Sequence, residues 1–148
     1  MAQKARVLVV DDELDIRELC RVNLEFAGYD VLEAGDGIEA LEVCRAEHPD
    51  LVFLDVMMPR LDGWAVLEAL QQDDATRDIP VVLLTARGGD DDQIRGWSEG
   101  ILEYVAKPFN PMVLLDCVVR ALEPRDPAVE EQRRQRMVER IRVLREMR

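Results

Sequence analysis

Short apolar runs alternate with amphipathic stretches over the first 124 residues of the chain. Three of these runs, at 6–10, 50–54 and 80–84, are rich in β-branched residues and almost continuously apolar. Strands with this composition are typically buried on both faces, as in a parallel sheet. Weaker runs at 29–34 and 102–106 predict two further strands that lie nearer the edges of the sheet.

Helical periodicity fills the intervals between the predicted strands. Small and apolar residues recur on one helix face from Ile16 to Ala27, and Gly28 follows as the expected helix end. Further amphipathic segments lie at 38–44, 64–70 and 114–122. The segment at 91–99 has only Ile94 and Trp97 as main apolar anchors, so we expect the least firmly packed helix there. This alternation predicts an α/β fold with a doubly wound five-stranded parallel sheet, in the order 2-1-3-4-5.

A charged segment follows the predicted sheet domain. The two prolines in EPRDP at 123–127 are expected to end the last helix, which divides the chain into a domain at 1–123 and a helical extension at 124–148. In this extension Met137, Ile141 and Leu144 recur at helical spacing, with Val138 and Met147 on nearly the same face. A helix of this length is marginal alone in water. We therefore expect this helix to pack on a second copy, on the acidic surface of its own chain or on another protein, or else to fray. Of these alternatives we favour a homodimer that forms through the helix.

Composition narrows the classes of function. The net charge of −12 is uneven, because the stretch from Arg125 onward carries eight Arg against five Asp or Glu. An acidic body argues against general nucleic-acid binding, and no apolar stretch approaches the ~20 residues that a membrane span needs. No signal peptide is recognisable at the N-terminus. We therefore expect a soluble, cytoplasmic protein without nucleic-acid or membrane partners, and its three separated cysteines predict buried thiols rather than a zinc site.

Polar residues stand at the ends of four predicted strands. Asp11 and Asp12 follow the first strand, Asp55 ends the third, Thr85 ends the fourth and Lys107 follows the fifth. All these ends lie at one edge of a parallel sheet, where open α/β folds bind their ligands. Three neighbouring carboxylates repel one another unless a cation lies between them, and this donor set suits Mg²⁺. The lysine and the threonine can stabilise a phosphoryl group, while one carboxylate acts as nucleophile.

Four motifs resemble the receiver domain of bacterial two-component response regulators. They are VLVVDDE at 7–13, LVFLDVMMPRLDGW at 51–64, VVLLTA at 81–86 and EYVAKPF at 103–109. The resemblance covers roughly residues 5–123. It implies that Asp55 accepts the phosphoryl group, that Asp11 and Asp12 hold Mg²⁺ together with the backbone carbonyl of Met57, and that Lys107 pairs with the aspartate and its phosphoryl group.

The resemblance also assigns a switch. Thr85 corresponds to the hydroxyl residue that engages phosphate, and Tyr104 to the aromatic residue that then turns inward. The Lys107–Pro108 bond corresponds to one that is cis in the family. Relatives that dimerise through their fourth and fifth helices usually carry an arginine where Cys117 stands here, so the partner expected for Glu103 in that dimer is missing.

These observations predict a phosphorylation-controlled switch and not a turnover enzyme. A sensor histidine kinase would donate the phosphoryl group to Asp55, after which Thr85 and Tyr104 bias the segment from the loop after strand four through strand five. Tyr104 and Trp97 would lie on the surface that reports phosphorylation. Two alternatives remain: a phosphatase resembling the haloacid dehalogenases, which also combine Asp, Thr or Ser, Lys and Mg²⁺, and a receiver that serves as the input module of a larger assembly.

Overall fold

The structure is a computed structural model that describes residues 4–86 and 89–147. Its five strands are β1 (Arg6–Val10), β2 (Asp30–Ala34), β3 (Leu51–Asp55), β4 (Val81–Thr85) and β5 (Glu103–Ala106). Its helices are α1 (Leu14–Phe26), α2 (Gly37–Glu47), α3 (Gly63–Gln72), α4 (Asp90–Ser98), α5 (Pro111–Leu122) and α6 (Pro127–Glu146). Residues 87–88, in the loop of the predicted switch, and residues 1–3 and 148 lie outside this description.

All strand pairs are parallel, in the order β2-β1-β3-β4-β5, so the predicted α/β topology is confirmed. Helices α1 and α5 pack on one face of the sheet, around Leu24, Leu114 and Val118. Helices α2, α3 and α4 pack on the other face, against the opposite side chains of the same strands. Strands β3 and β4 are buried along their whole length, as their continuous apolar runs predict.

The extension at 124–148 forms a helix that packs on its own chain. Helix α6 lies along α4, and Ile141 is buried there while Met137 and Val138 are partly buried. Leu144 and Met147, predicted on the same face, are instead 45% and 77% exposed. The reason is length: α4 has nine residues and α6 has twenty, which correspond to ~13 and ~30 Å of helix. A homodimer would require α6 to leave α4 or to be exchanged between copies, and it stays a prediction.

Helix α4 is covered by α6. Trp97, one of the two apolar anchors expected in this segment, is only 2% exposed. It therefore does not lie on the surface in this structure, while its predicted part in reporting phosphorylation stays a prediction. All three cysteines are free and buried, as predicted. Among the described residues, no helix has both the length and the apolar character that crossing a membrane requires.

Candidate functional site

The register of the sheet brings the predicted site residues to one edge. Val10 lies beside Leu54, so Asp11 follows β1 next to the position where Asp55 ends β3. Thr85, the last residue of β4, lies beside Ala106, and Lys107 follows directly. The backbone N–H of Lys107 donates to the Thr85 carbonyl at 2.8 Å, which extends the β4–β5 pairing by one residue into the site. The convergence predicted from strand ends is therefore present.

Three carboxylates form the acidic part of the site. Asp11, Asp12 and Asp55 each offer one oxygen, and these oxygens lie within 4.8 Å of one another. Asp11 and Asp55 are buried, while Asp12 is exposed at the mouth of the pocket. Backbone N–H groups orient the two buried carboxylates: that of Glu13 donates to Asp11 at 2.9 Å, and that of Met57 donates to Asp55 at 3.1 Å.

Lys107 supplies the cation that faces these carboxylates. Its Nζ lies 2.5 Å from Oδ2 of Asp11 and 3.6 Å from Oδ2 of Asp55, so its shorter contact is with Asp11. Burial alone would lower the pKa of Lys107, but its hydrogen bond to Asp11 and the charge of Asp55 raise it above the ordinary value. The peptide bond between Lys107 and Pro108 is cis, as the resemblance implies.

Burial and neighbouring negative charge both raise the pKa of Asp55. Burial raises this pKa to about 7, and Asp11 adds to the increase, whereas Lys107 and the Met57 N–H oppose it. Lys107 therefore offsets only part of the combined effect of burial and carboxylate repulsion. A hard divalent cation that prefers oxygen ligands fits this donor set, because it would favour the ionised carboxylates against both effects.

Thr85 and Tyr104 are in contact beside the carboxylates. Thr85 is 1% exposed, and its side chain shares a hydrogen bond with the Tyr104 hydroxyl. Burial raises the pKa of Tyr104 to about 12, with a further contribution from Asp92 on α4, and the hydrogen bond with Thr85 opposes this increase. The two residues predicted to form the switch are therefore joined directly in this state of the protein.

The loop after β3 closes tightly over the site because of a glycine. A side chain at Gly63 would place its Cβ 2.7 Å from the Val56 Cα, against the backbone that carries Asp55. The N–H of Gly63 donates to the Val56 carbonyl at 2.9 Å. Asp62 begins α3 by accepting a hydrogen bond from Ala65 at 2.9 Å. The sequence DG at 62–63 thus explains why α3 starts directly behind Asp55.

Sequence reasoning missed the partners of Glu103. Its carboxylate lies 3.4 Å from Arg120 on α5 and 3.0 Å from Arg133 on α6. These contacts lie within one chain, so the absence of the dimer partner at Cys117 stays a prediction. Arg120 stands one helical turn after Cys117, which keeps it on nearly the same face of α5. Arg133 belongs to the extension, and its pairing with a residue 30 positions earlier leaves no local signal in the sequence.

The fold and this site define a class of protein. A sequence model described as the response regulator receiver domain matches residues 7–119. The chain therefore belongs to the response regulator receiver family of two-component signalling, as its motifs predicted.

Several curated proteins are similar to this stretch. A probable transcriptional regulator ycf27 from Cyanophora paradoxa is 48% identical over 111 residues, which are 75% of this chain and 45% of that protein. The DNA-binding dual master transcriptional regulator RpaA from Synechocystis is 44% identical over 117 residues, covering 79% of this chain and 48% of the relative. The chain thus spans about half the length of the curated relatives that it matches.

Solved structures show the same architecture. The chemotaxis protein CheY4 of Vibrio cholerae is 33% identical with a TM-score of 0.76, and the match covers 81% of this chain and 100% of CheY4. The receiver domain of the Francisella response regulator 1452 is 32% identical with a TM-score of 0.75, covering 80% of this chain and 96% of that domain.

Proposed function

We propose that this chain is a phosphorylation-controlled switch that accepts a phosphoryl group on Asp55. The observation that carries the proposal is the position of Asp55: a buried strand-end carboxylate with a lysine ammonium at 3.6 Å and two further carboxylates beside it. Among the described carboxylates, only Asp11 shares this combination of burial, fixed cation and acidic partners, and the family resemblance assigns Asp11 to the metal and Asp55 to the phosphoryl group. The donor would be the phosphohistidine of a sensor histidine kinase, in keeping with membership of the family.

The transfer follows from the groups around Asp55. A carboxylate oxygen of Asp55 attacks phosphorus, the phosphorus–nitrogen bond to the donor imidazole breaks, and an acyl phosphate forms on the aspartate. Lys107 holds its proton throughout, because its pKa is raised, and its ammonium balances charge on the phosphoryl oxygens. The Met57 N–H, 3.1 Å from Asp55, keeps the carboxylate oriented.

Asp11, Asp12 and Asp55 would hold a Mg²⁺ ion, with the Met57 backbone carbonyl completing the protein ligands as the resemblance implies. When bound, the ion neutralises negative charge during phosphoryl transfer. The raised pKa of Asp55 supports this requirement, because a protonated aspartate is a poor nucleophile.

Thr85 would convert the modification into a conformational change. Its hydroxyl is one strand away from Asp55, since Leu84 pairs with Asp55 in the sheet. A hydroxyl that turns toward the new phosphoryl oxygens alters its hydrogen bond with Tyr104. Tyr104 lies on β5 at the edge of the sheet, so the change reaches a surface.

In this role the chain changes state when it is phosphorylated, and it does not convert a substrate repeatedly as an enzyme does. The chain therefore should not hydrolyse generic phosphate esters, which distinguishes it from the phosphatase alternative. The transcriptional regulation named for its relatives is not carried over, because the match covers only about half of those proteins. A role as the input module of a larger assembly remains compatible with the same chemistry at Asp55.

Labelling tests the proposal directly. The wild-type chain should incorporate one phosphoryl group from acetyl phosphate with Mg²⁺, and Asp55→Asn should incorporate none. Asp74→Asn is the matched control, because the Asp74 side chain is 87% exposed and outside the site, and it should be labelled like wild type. Labelling that persists in Asp55→Asn, or is absent from wild type, would contradict the proposal.

A further inference from the structure

Helix α6 covers α4 with a single continuous stripe. The residues of α6 that are buried or half-buried follow one another at helical spacing, and they are Glu130, Arg133, Arg134, Met137, Val138 and Ile141. Met137, Val138 and Ile141 join the core cluster that contains Trp97. The remaining described residues of α6 are exposed, so the buried part of its contact with its own chain lies along this stripe.

Polar contacts lie at both ends of the stripe. At one end the Arg133 guanidinium lies 5.1 Å from the Trp97 ring centre, pairs with Glu103 and donates to the Leu102 carbonyl at 3.3 Å. At the other end Arg145 pairs with Asp91 in the first turn of α4 at 2.7 Å. The two helices therefore run in opposite directions, and α6 reaches from β5 to the start of α4.

The covered surface is connected to the phosphoacceptor site. Tyr104 follows Glu103 directly in β5 and is hydrogen-bonded to Thr85. Helix α4 approaches Tyr104 closely through Gly96, where an added Cβ would lie 2.9 Å from Ile101 and 3.6 Å from the Tyr104 ring. Gly96 thus lets α4 pack directly beside Tyr104, and α6 contacts both α4 and β5, so α6 lies next to the elements that a movement of Tyr104 would disturb.

We propose that α6 is an intramolecular cap on α4 that is released when Asp55 is phosphorylated. The inference rests on the proposed function, since it needs Asp55 to carry a phosphoryl group. Helix α6 of the same chain is then the segment that covers the α4 surface, and its detachment leaves Trp97 accessible.

Two features of the contact favour release of the cap. The indole N–H of Trp97 is buried with no hydrogen-bond partner among the described residues, which opposes tight docking. The Asp91 side chain is 91% exposed, so its pair with Arg145 is screened by solvent. Docking of α6 and binding at Asp55 are also linked reciprocally, because each favours a different arrangement of α4 and β5.

Amide hydrogen exchange on the full chain tests the release. With Mg²⁺ and beryllofluoride, a phosphoryl mimic, amides at 137–145 should exchange about tenfold faster than in the free protein, a typical size for coupling between sites. Asp55→Asn under the same conditions should show no change. Protection near Asp55 with unchanged or slower exchange in α6 would overturn the cap, while no protection anywhere would overturn the proposed function and the cap with it.

The reciprocal experiment perturbs α6 and measures the site. Ile141→Glu, which places a charge in the covered stripe, should bind beryllofluoride about fivefold more tightly or better. Ile141→Ala should shift affinity in the same direction by less and guards against misfolding of the first variant. Val143→Glu is the matched control, because Val143 is 45% exposed on the same helix, and its affinity should equal that of wild type. Unchanged or weaker binding by both Ile141 variants would overturn the proposal.

Discussion

The carboxylate pocket and the α4–α6 contact both join opposite charges, but water reaches them very differently. In the pocket, the Asp11 side chain is fully buried and Lys107 is 10% exposed, at 2.5 Å from each other. Between α4 and α6, the side chains of Arg145 and Asp91 are 44% and 91% exposed at a similar separation of 2.7 Å. Buried charges interact strongly and are costly to leave unpaired, whereas exposed pairs contribute ~0–1 kcal/mol.

Under the proposed function, the pocket would accept the phosphoryl group and the α4–α6 contact would respond to it. A buried pocket with a raised Asp55 pKa is sensitive to a single added or removed charge. Helix α6 is instead held by one stripe and by pairs that solvent partly screens, so its detachment should cost less than breaking the buried pair.

Removal of Lys107 should have the largest effect on stability. Lys107→Ala leaves the buried Asp11 carboxylate without its cation, so we expect a loss of ~3 kcal/mol in the free energy of unfolding at pH 8 without divalent cations. Urea unfolding measures it, and Mg²⁺ should recover part of the loss. The control is Arg21→Ala, whose pairs with Glu25 and Glu33 are exposed and whose effect should stay below ~0.5 kcal/mol. Equal losses in the two variants would remove the distinction between pocket and surface.

The second effect in size should be the pH dependence of the free energy of unfolding that comes from Asp55. Its pKa is about 7 in the folded chain, against ~3.9 for an unfolded aspartate, so the folded state binds the proton more tightly. Stability from this group is therefore present below pH 4 and is lost as the pH rises to 7. Asp55→Asn cannot ionise, so without divalent cations its gain over wild type should be ~2 kcal/mol larger at pH 8 than at about pH 5.5. A gain that does not change with pH would contradict the raised pKa.

The third effect in size should be the loss of Mg²⁺ affinity when the Asp12 carboxylate is removed. Asp12 offers an oxygen within 4.8 Å of those of Asp11 and Asp55, at the open side of the pocket. Asp12→Ala should weaken Mg²⁺ binding by more than tenfold, which is ~1.4 kcal/mol. Calorimetry or tryptophan fluorescence can follow the titration. Asp15→Ala, which removes an exposed carboxylate from the nearby start of α1, should leave the affinity within about twofold of wild type, since screened charges act weakly at a distance. Equal losses would mean that net charge, not ligation, attracts the ion.

The pocket could be predicted because topology determines it. Parallel strands and their crossovers place Asp11, Asp55, Thr85 and Lys107 at one edge whatever the details of packing. The nearer approach of Lys107 to Asp11 than to Asp55 was not predictable, because a difference of 1.1 Å depends on side-chain rotamers. Strand periodicity carries no information at that scale.

The target of α6 could not be predicted from the same kind of pattern. The spacing of Met137 and Ile141 correctly indicated an amphipathic helix, but an apolar stripe fits a second copy, a partner or the chain itself equally well. The contact depends on Trp97 and Glu103, which lie 36 and 30 residues before Arg133 of α6, and long-range pairing has no periodic signature. The sequence shows that Trp97 is apolar, but it does not show that α6 covers this residue.

A double-mutant cycle at Glu103 and Arg133 should give the smallest effect and the sharpest comparison. The side chains are 27% and 28% exposed, and Arg120 stays 3.4 Å from Glu103 when Arg133 is removed. Glu103 therefore never becomes an unpaired buried charge, in contrast to Asp11 after the loss of Lys107. From unfolding of Glu103→Gln, Arg133→Gln and the double variant, we expect a coupling of ~0.5 kcal/mol that falls further in roughly 0.5 M salt. A salt-independent coupling above ~2 kcal/mol would mean that α6 is held as firmly as the pocket, and a cap held so firmly could not respond to phosphorylation.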